Sequence, residues 1–474
     1  MCALLFFMMF SPIRVLTVFA ALSVAACNLA PKFTKPAPAL PVEFKTQGPW
    51  KLARPRDEEP RGDWWRLFGD ARLSALMAEA EKGSPTLELA RQRVLEARAT
   101  ARANRAGLFP TMNLSGSARR DRGSGTMAFQ FAGGRSRTTL FSGLDFNYEL
   151  DFWGRNKNTA AAGLARAEAA DAALQNARLG LLSELAMNYY ALRAQDAQIA
   201  LLRRTVAVRQ RTMEMARKRF EQGDIAQIDV AQAETDLAET QAEAIGLERE
   251  RGELEHAIAL LLGRVPSDLT LAATPISGTP PSLPKSVPST LLERRPDIAA
   301  AERQMQAANA EIGVAKAAFY PSITLGLSGG MQTSFIEKIA DAKSRVWGLG
   351  PAGLDWPLLN GGAVKANAIA AQARYEQSAA TYRLTVLTAM REAEDALTGL
   401  SVLKRQSAAQ DVTVASATRA LELAQKRYDS GLVAYYEVLD AQRTLLRAER
   451  ESTRLRGELF VATTLLVKAL GGGW

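Results

Sequence analysis

Side chains that could do covalent or metal chemistry are scarce in this chain. Its 474 residues include a single histidine, His256, and two cysteines, Cys2 and Cys27. A Ser/His/Asp triad would have to use His256, and a zinc site would need more Cys and His ligands. His256 sits in a helical pattern beside Leu254 and Ile258, where a structural or surface role is the simpler reading. No nucleophile lies with a base, and no phosphate loop or metal constellation is present. We therefore expect no catalytic residue, no cofactor and no metal. Two carboxylates do stand out: Glu437 and Asp440, three residues apart and so on one helix face, with Tyr436 before them and Arg443 after. Alone they read as a solvated face with the usual acidic preference of a first helical turn. Several copies crowded round a narrow opening would repel one another and favour cations.

The elements that must carry these residues are long helices. From about 156 to 222 the sequence has no proline, and Leu185, Leu192, Ile199, Val206, Met213 and Phe220 recur every seventh position. This predicts a coiled-coil seam on a helix ~100 Å long, ended at Gly223 and followed by a second helix over about 225–262. Composition agrees, being rich in Ala, Leu, Arg, Glu and Gln. The net charge of +9 is spread along the helices as mixed signs, and aromatics do not interleave with a basic patch, which argues against nucleic acid.

The N-terminus predicts export. Arg14 precedes an apolar run from Val15 to Ala26, too short for a comfortable spanning helix. Leu22-Ser-Val-Ala-Ala-Cys27 has the form of a bacterial lipobox, with residues 1–26 removed and Cys27 lipidated; ordinary cleavage beside an incidental cysteine is the alternative. Asn28, rather than Asp, leans toward the outer membrane. Residues 27–62 carry many prolines and read as an extended tether. Asp63-Trp-Trp-Arg-Leu-Phe-Gly-Asp70 begins the folded part, and Ser84 with Pro85 reads as an N-cap and first turn.

Beyond Phe109-Pro110 the period changes to two. Strands are expected over about 111–121 and 138–151, the latter with Leu144, Phe146, Tyr148 and Leu150 on one face and Asp145, Asn147 and Glu149 on the other. Residues 264–290 form a proline-rich linker. The order then recurs: helix from Leu291 to Ala318, a break at Phe319-Tyr-Pro321, strands over about 322–331 and 345–357, and helices over about 364–429 and 434–470. Adding 208 lays Ala216-Arg-Lys-Arg-Phe-Glu-Gln-Gly223 on Ala424-Gln-Lys-Arg-Tyr-Asp-Ser-Gly431, and Asp229 on Glu437. This predicts an internal duplication, 63–263 and 291–474.

The fold class is therefore α+β, mainly α, with four strands per chain. Four strands cannot close a membrane barrel, since about eight is the smallest, and an open edge in lipid is untenable. If they cross a membrane, several copies must share one barrel with a polar lumen. A lipid-anchored periplasmic coiled-coil adaptor or scaffold, without a pore, is the alternative.

Over residues 27–471 the sequence resembles the TolC-like outer-membrane efflux channels, the lipoprotein branch with OprM-type and NodT-like proteins. Its most specific pieces are Leu291-Leu-Glu-Arg-Arg-Pro-Asp-Ile298 with Ala301-Glu302, Ala-Lys-Ala-Ala-Phe-Tyr-Pro321 and Leu-Asp-Ala-Gln-Arg443. The resemblance implies a homotrimer with a twelve-stranded outer-membrane barrel and a periplasmic α-barrel, docked through a periplasmic adaptor onto an inner-membrane pump. It also implies that the turns at Gly223 and Gly431 are the far tip, contacted by the adaptor. Asp440 and Arg443 would then stand at the constriction, with Tyr436 and Glu437 beside them and Asp229 at the equivalent place in the first half. Some relatives have an arginine shortly after the tip glycine that can pair with that Asp; here the residue is Val433, and Arg443 is the candidate to replace it.

Overall fold

The computed structural model describes residues 28–35, 62–122, 124, 136–281 and 295–472, with Pro351 as backbone alone. Cys27 and the segment before it lie outside the described residues, as do 36–61, 282–294 and the last two residues. In chain order the elements are α1 (Ala71–Gly83), α2 (Pro85–Ala106), β1 (Thr111–Arg122), β2 (Ser136–Leu150), α3 (Arg155–Glu221) and α4 (Gln227–Leu262). Then follow α5 (Pro296–Ala317), β3 (Ser322–Thr333), β4 (Arg345–Asp355), α6 (Ala363–Asp429) and α7 (Tyr435–Ala469). The described residues form two compact units, and each takes residues from both halves of the chain.

The first unit holds residues 28–35, 94–170 and 301–382 where described. Its sheet is antiparallel throughout, in the order β1-β2-β3-β4. Both hairpin connections lie at the sheet end away from the helices, because α2, α3, α5 and α6 join the strands near Thr111, Leu150, Ser322 and Asp355. Asp151 starts α3: its carboxylate accepts from the amides of Asn156 and Lys157 at 3.1 and 2.7 Å. The first residues of the tether are held on helices. Asn309 Nδ2 donates to the Pro31 carbonyl at 2.8 Å, and Lys35 pairs with Glu302 at 2.7 Å.

The second unit holds residues 62–93, 171–300 and 383–474 where described. Its core gathers Trp64, Trp65, Leu73, Leu76, Leu185 and Leu192 with Phe460, and Tyr189 donates to Asp70 at 2.8 Å. The heptad seam is buried at Leu185, Leu192 and Ile199, half-buried at Val206 and Met213, and open at Phe220, which is 42% exposed. Apolar spacing continues to the helix end, but its partner surface within one chain does not.

Two sequence expectations change. Ser84 precedes Pro85 as expected, but its buried hydroxyl has no hydrogen-bond partner, so it does not cap α2 through its side chain. The helix expected from Leu291 begins at Pro296, with 291–294 outside the described residues. Residues 264–281, within the expected proline-rich linker, are held against α3 and α4. Leu269, Leu271 and Ile276 are buried, and Asp196 accepts from Arg193, Arg251 and the Thr274 amide at 2.9, 2.7 and 2.9 Å. Arg193 and Arg251 also donate to the carbonyls of Ala272 and Leu271 at 2.7 and 2.6 Å.

Candidate functional site

Two features could do work: the faces of the sheet and the ends of the long helical hairpins. In the sheet, directly opposed residues share a face. Met112 opposes Phe146, and Phe146 opposes Leu327. Leu327 in turn opposes Leu349, and Leu114, Leu144 and Trp347 fall on this face as well. Its apolar side chains stand open: Leu114 is 77% exposed, Trp347 83% and Leu349 84%. The other face carries Asn113, Ser115, Asp145, Asn147 and Glu149, with the Ser115 hydroxyl donating to Asp145 at 2.5 Å. Apolar and polar thus separate across one sheet, as read from β2 alone. Among the described residues β1 and β4 each leave one edge unpaired.

At the hairpin ends, glycine supplies the positive φ that stops each helix. Gly223 has φ +81° and Gly431 +72°. The amides of Asp224 and Leu432 then reach back to the carbonyls of Arg219 and Arg427, at 2.9 Å each, in Schellman closures. A Cβ on either glycine would meet open space.

The hairpins α3–α4 and α6–α7 touch near these ends. Arg219 donates to the Tyr428 hydroxyl at 2.5 Å and lies over its ring, which is 5.3 Å from the ring of Tyr435. Burial pushes the Tyr435 hydroxyl up to about 12. Farther along, Arg443 Nε and Nη2 donate to Asp236 Oδ1 at 3.0 and 2.6 Å. That bond raises the Arg443 pKa above its ordinary value. Asp236 is 1% exposed, and its Oδ2 has no partner. Arg209, also buried, donates to the Asp236 carbonyl at 2.7 Å and to Thr240. One heptad on from this pair, Arg450 meets Glu243.

The predicted residues therefore do not all converge. Tyr436 and Asp440 are exposed, and Asp440 has no partner among the described residues. Glu437 lies 3.5 Å from Arg427. Asp229 accepts from the Ala226 amide at 3.3 Å, a contact with its own helix start. Arg443 does not replace a tip bridge to Asp229; it reaches Asp236, two turns deeper on α4. Asp236 lacks the feature that marks Glu437 and Asp440, a place just past a tip turn. Its signal is an acid in a seam of small and apolar residues, Val230, Ala233, Thr240, Ala244 and Leu247. His256 is exposed, and no cluster fit to hold a metal occurs among the described residues.

A sheet with one exposed apolar face and one polar face is the pattern of a membrane-facing β-sheet, and it occurs here in a chain that is otherwise mainly long helices. The profile described as "Outer membrane efflux protein" matches residues 76–264 and 287–472. The chain is 31% identical over 467 residues to the cation efflux system protein CusC of Escherichia coli, covering 98% of this chain and 100% of that protein. It is 32% identical over 462 residues to the outer membrane protein OprJ of Pseudomonas aeruginosa, covering 96% and 94% respectively. The crystal structure of a membrane protein from Pseudomonas aeruginosa superimposes with a TM-score of 0.87 at 30% identity, covering 94% of this chain and 98% of that one. The chain belongs to the outer membrane efflux protein family.

Proposed function

We propose that three copies of this chain assemble into a passive exit duct, each giving four strands to a twelve-stranded barrel and its helical hairpins to a periplasmic tunnel. The chain is the outer-membrane channel component of a tripartite efflux system. The observation that carries the assembly is the sheet: an exposed apolar face with two unpaired edges. Backbone groups on an open edge in lipid cost several kcal/mol each, so the edges must meet other copies. The polar face then lines water. A pore-less adaptor is overturned, because relatives of solved structure are outer-membrane channels and the strands carry a lipid-type face.

The duct does no covalent chemistry, and its energy comes from an inner-membrane pump through a periplasmic adaptor. The two domains, 63–263 and 291–474, arose by duplication. In support, α3 and α6 are each 67 residues and start 208 apart (363 − 155), while α2 and α5 start 211 apart (296 − 85). Cys27 carries the lipid, and residues 28–35 lead from it along α5 in the unit that holds the sheet. The adaptor meets the turns at Gly223 and Gly431. Between those turns and the interior, Tyr436, Glu437, Asp440 and Asp229 line a constriction that Arg443 holds narrow through Asp236. Opening separates the α6–α7 hairpin from α3–α4, and adaptor contact shifts the population toward that state. Photo-crosslinkers placed next to the two tip turns test this in cells. Adducts with a periplasmic adaptor are expected at both turns, and their absence at both would remove the tip assignment.

A further inference from the structure

The outward face of the sheet does not stay apolar to its end. On β1 that face runs Met112, Leu114, Gly116, Ala118 and then Arg120 and Arg122. On β4 it ends in Trp347 and Arg345, because Gly329 opposes Trp347 and Met331 opposes Arg345. All three arginines are exposed and lie at the sheet end away from the helices. From Thr111 to Arg120 is nine residues (120 − 111), ~30 Å along the strand at ~3.4 Å per residue. At the ~40° tilt of membrane strands this is ~23 Å along the bilayer normal, close to the ~25 Å apolar band of outer-membrane barrels. From Asp355 back to Arg345 is ten residues (355 − 345), ~26 Å on the same reckoning. Both strands therefore bring arginine to the outward face where the apolar layer ends. Trp347 sits two positions inside Arg345, at the interfacial depth that tryptophan favours.

The inward face also carries arginines at this end of the sheet. There Arg137 opposes Asp121, and Arg119 lies 3.8 Å from Asp121, so the lumen-side cations have a carboxylate beside them. Neither Arg120 nor Arg345 has an ion pair among the described residues. Asp341 lies in the loop before β4 and is engaged by the Lys343 amide at 3.0 Å. Resting on the reading of the sheet as part of an outer-membrane barrel, we propose that Arg120, Arg122 and Arg345 form a lipid-side binding site for phosphate groups on the headgroups of the outer leaflet. Guanidinium is the cation suited to this task. Its fork pairs with two phosphate oxygens at once, and its long stem covers the apolar edge while the head stays at the interface. Three arginines per chain would give an assembled trimer a ring of nine, holding charged glycolipid round the barrel.

The test uses the purified full chain in nonionic detergent, with bis-phosphorylated lipid A and its fully dephosphorylated counterpart as probes and native mass spectrometry as the readout. The assembled protein is expected to bind the phosphorylated lipid at least about tenfold more tightly, from roughly fivefold per arginine at an anionic surface. Arg120→Gln with Arg122→Gln and Arg345→Gln should abolish the preference, whereas the opposite-face pair Arg119→Gln with Arg137→Gln should keep it. A wild type without preference, or a triple variant that retains it, overturns the proposal. Should the triple variant fail to assemble, salt decides on wild type alone. The preference must collapse between about 50 mM and about 500 mM salt as the Debye length falls, and a salt-independent preference overturns the site. Assembly and conductance with no lipid preference would fail this proposal only. A wild type that neither assembles nor conducts would fail the duct reading and this site with it.

Discussion

Replacing Arg443 by alanine removes both donors from Asp236 Oδ1, at 3.0 and 2.6 Å, and leaves a carboxylate that is 1% exposed. Its second oxygen already lacks a partner, and Arg209 is engaged with the Asp236 carbonyl and Thr240. Stranding a fully buried charge costs about 3–5 kcal/mol. Arg443 is itself 42% exposed in its side chain, so water replaces part of what is lost, and about 1–3 kcal/mol is the expectation. This cost falls on the arrangement in which α4 and α7 touch. If that arrangement is the closed tip, the ratio of open to closed channels rises about 5- to 150-fold. Single-channel recording in planar bilayers reads the ratio directly. Asp236→Asn combined with Arg443→Ala should open the channel no further than Arg443→Ala alone, because the two act through one contact. Asp440→Ala should alter cation selectivity and leave the open fraction unchanged, its carboxylate having no partner among the described residues. A wild-type open fraction in Arg443→Ala, with a lowered melting temperature, would make the pair a brace and remove it from the gate.

Other expectations follow from the same geometry. Asp196→Asn strips a buried carboxylate from Arg193, Arg251 and the Thr274 amide, and should cost about 3 kcal/mol, read as earlier proteolysis within 264–281 and a lower melting temperature. Leu349→Arg, on the lipid side of β4, should cost about 2–4 kcal/mol and reduce the heat-resistant oligomer, whereas Asp145→Asn on the polar face should not. Burial pushes the Tyr189 hydroxyl up to about 12 from an unfolded value near 10. The folded state thus holds that proton more tightly, and the stabilisation is complete below pH 10 and lost as pH rises toward 12. Tyr189→Phe should flatten this alkaline limb in a pH series of melting curves.

Strong periodicity made the elements legible. The proline-free heptad run became a 67-residue helix, and the strict alternation after Thr138 became β2 with its faces as read. Glycine marked the helix ends because only a positive φ closes them cheaply. Partners across elements were less legible. Arg443 was singled out in sequence, but its counterpart Asp236 lies 207 residues earlier, in a seam that otherwise carries apolar and small side chains. The hold on residues 264–281 is illegible for the same reason: prolines mark the segment as irregular, while its anchors are Arg193, Asp196 and Arg251 on two distant helices. Spacing along one chain reports which face a residue shares, and it carries little about which buried charge will meet it.

The claim on which the rest depends is that separate copies close a common barrel. Mass photometry of the detergent-solubilised full chain, paired with conductance of the same sample in a planar bilayer, tests it most directly. A mass of three chains with stepwise ion conductance is the predicted result. A single-chain mass with an unbroken bilayer baseline would contradict it.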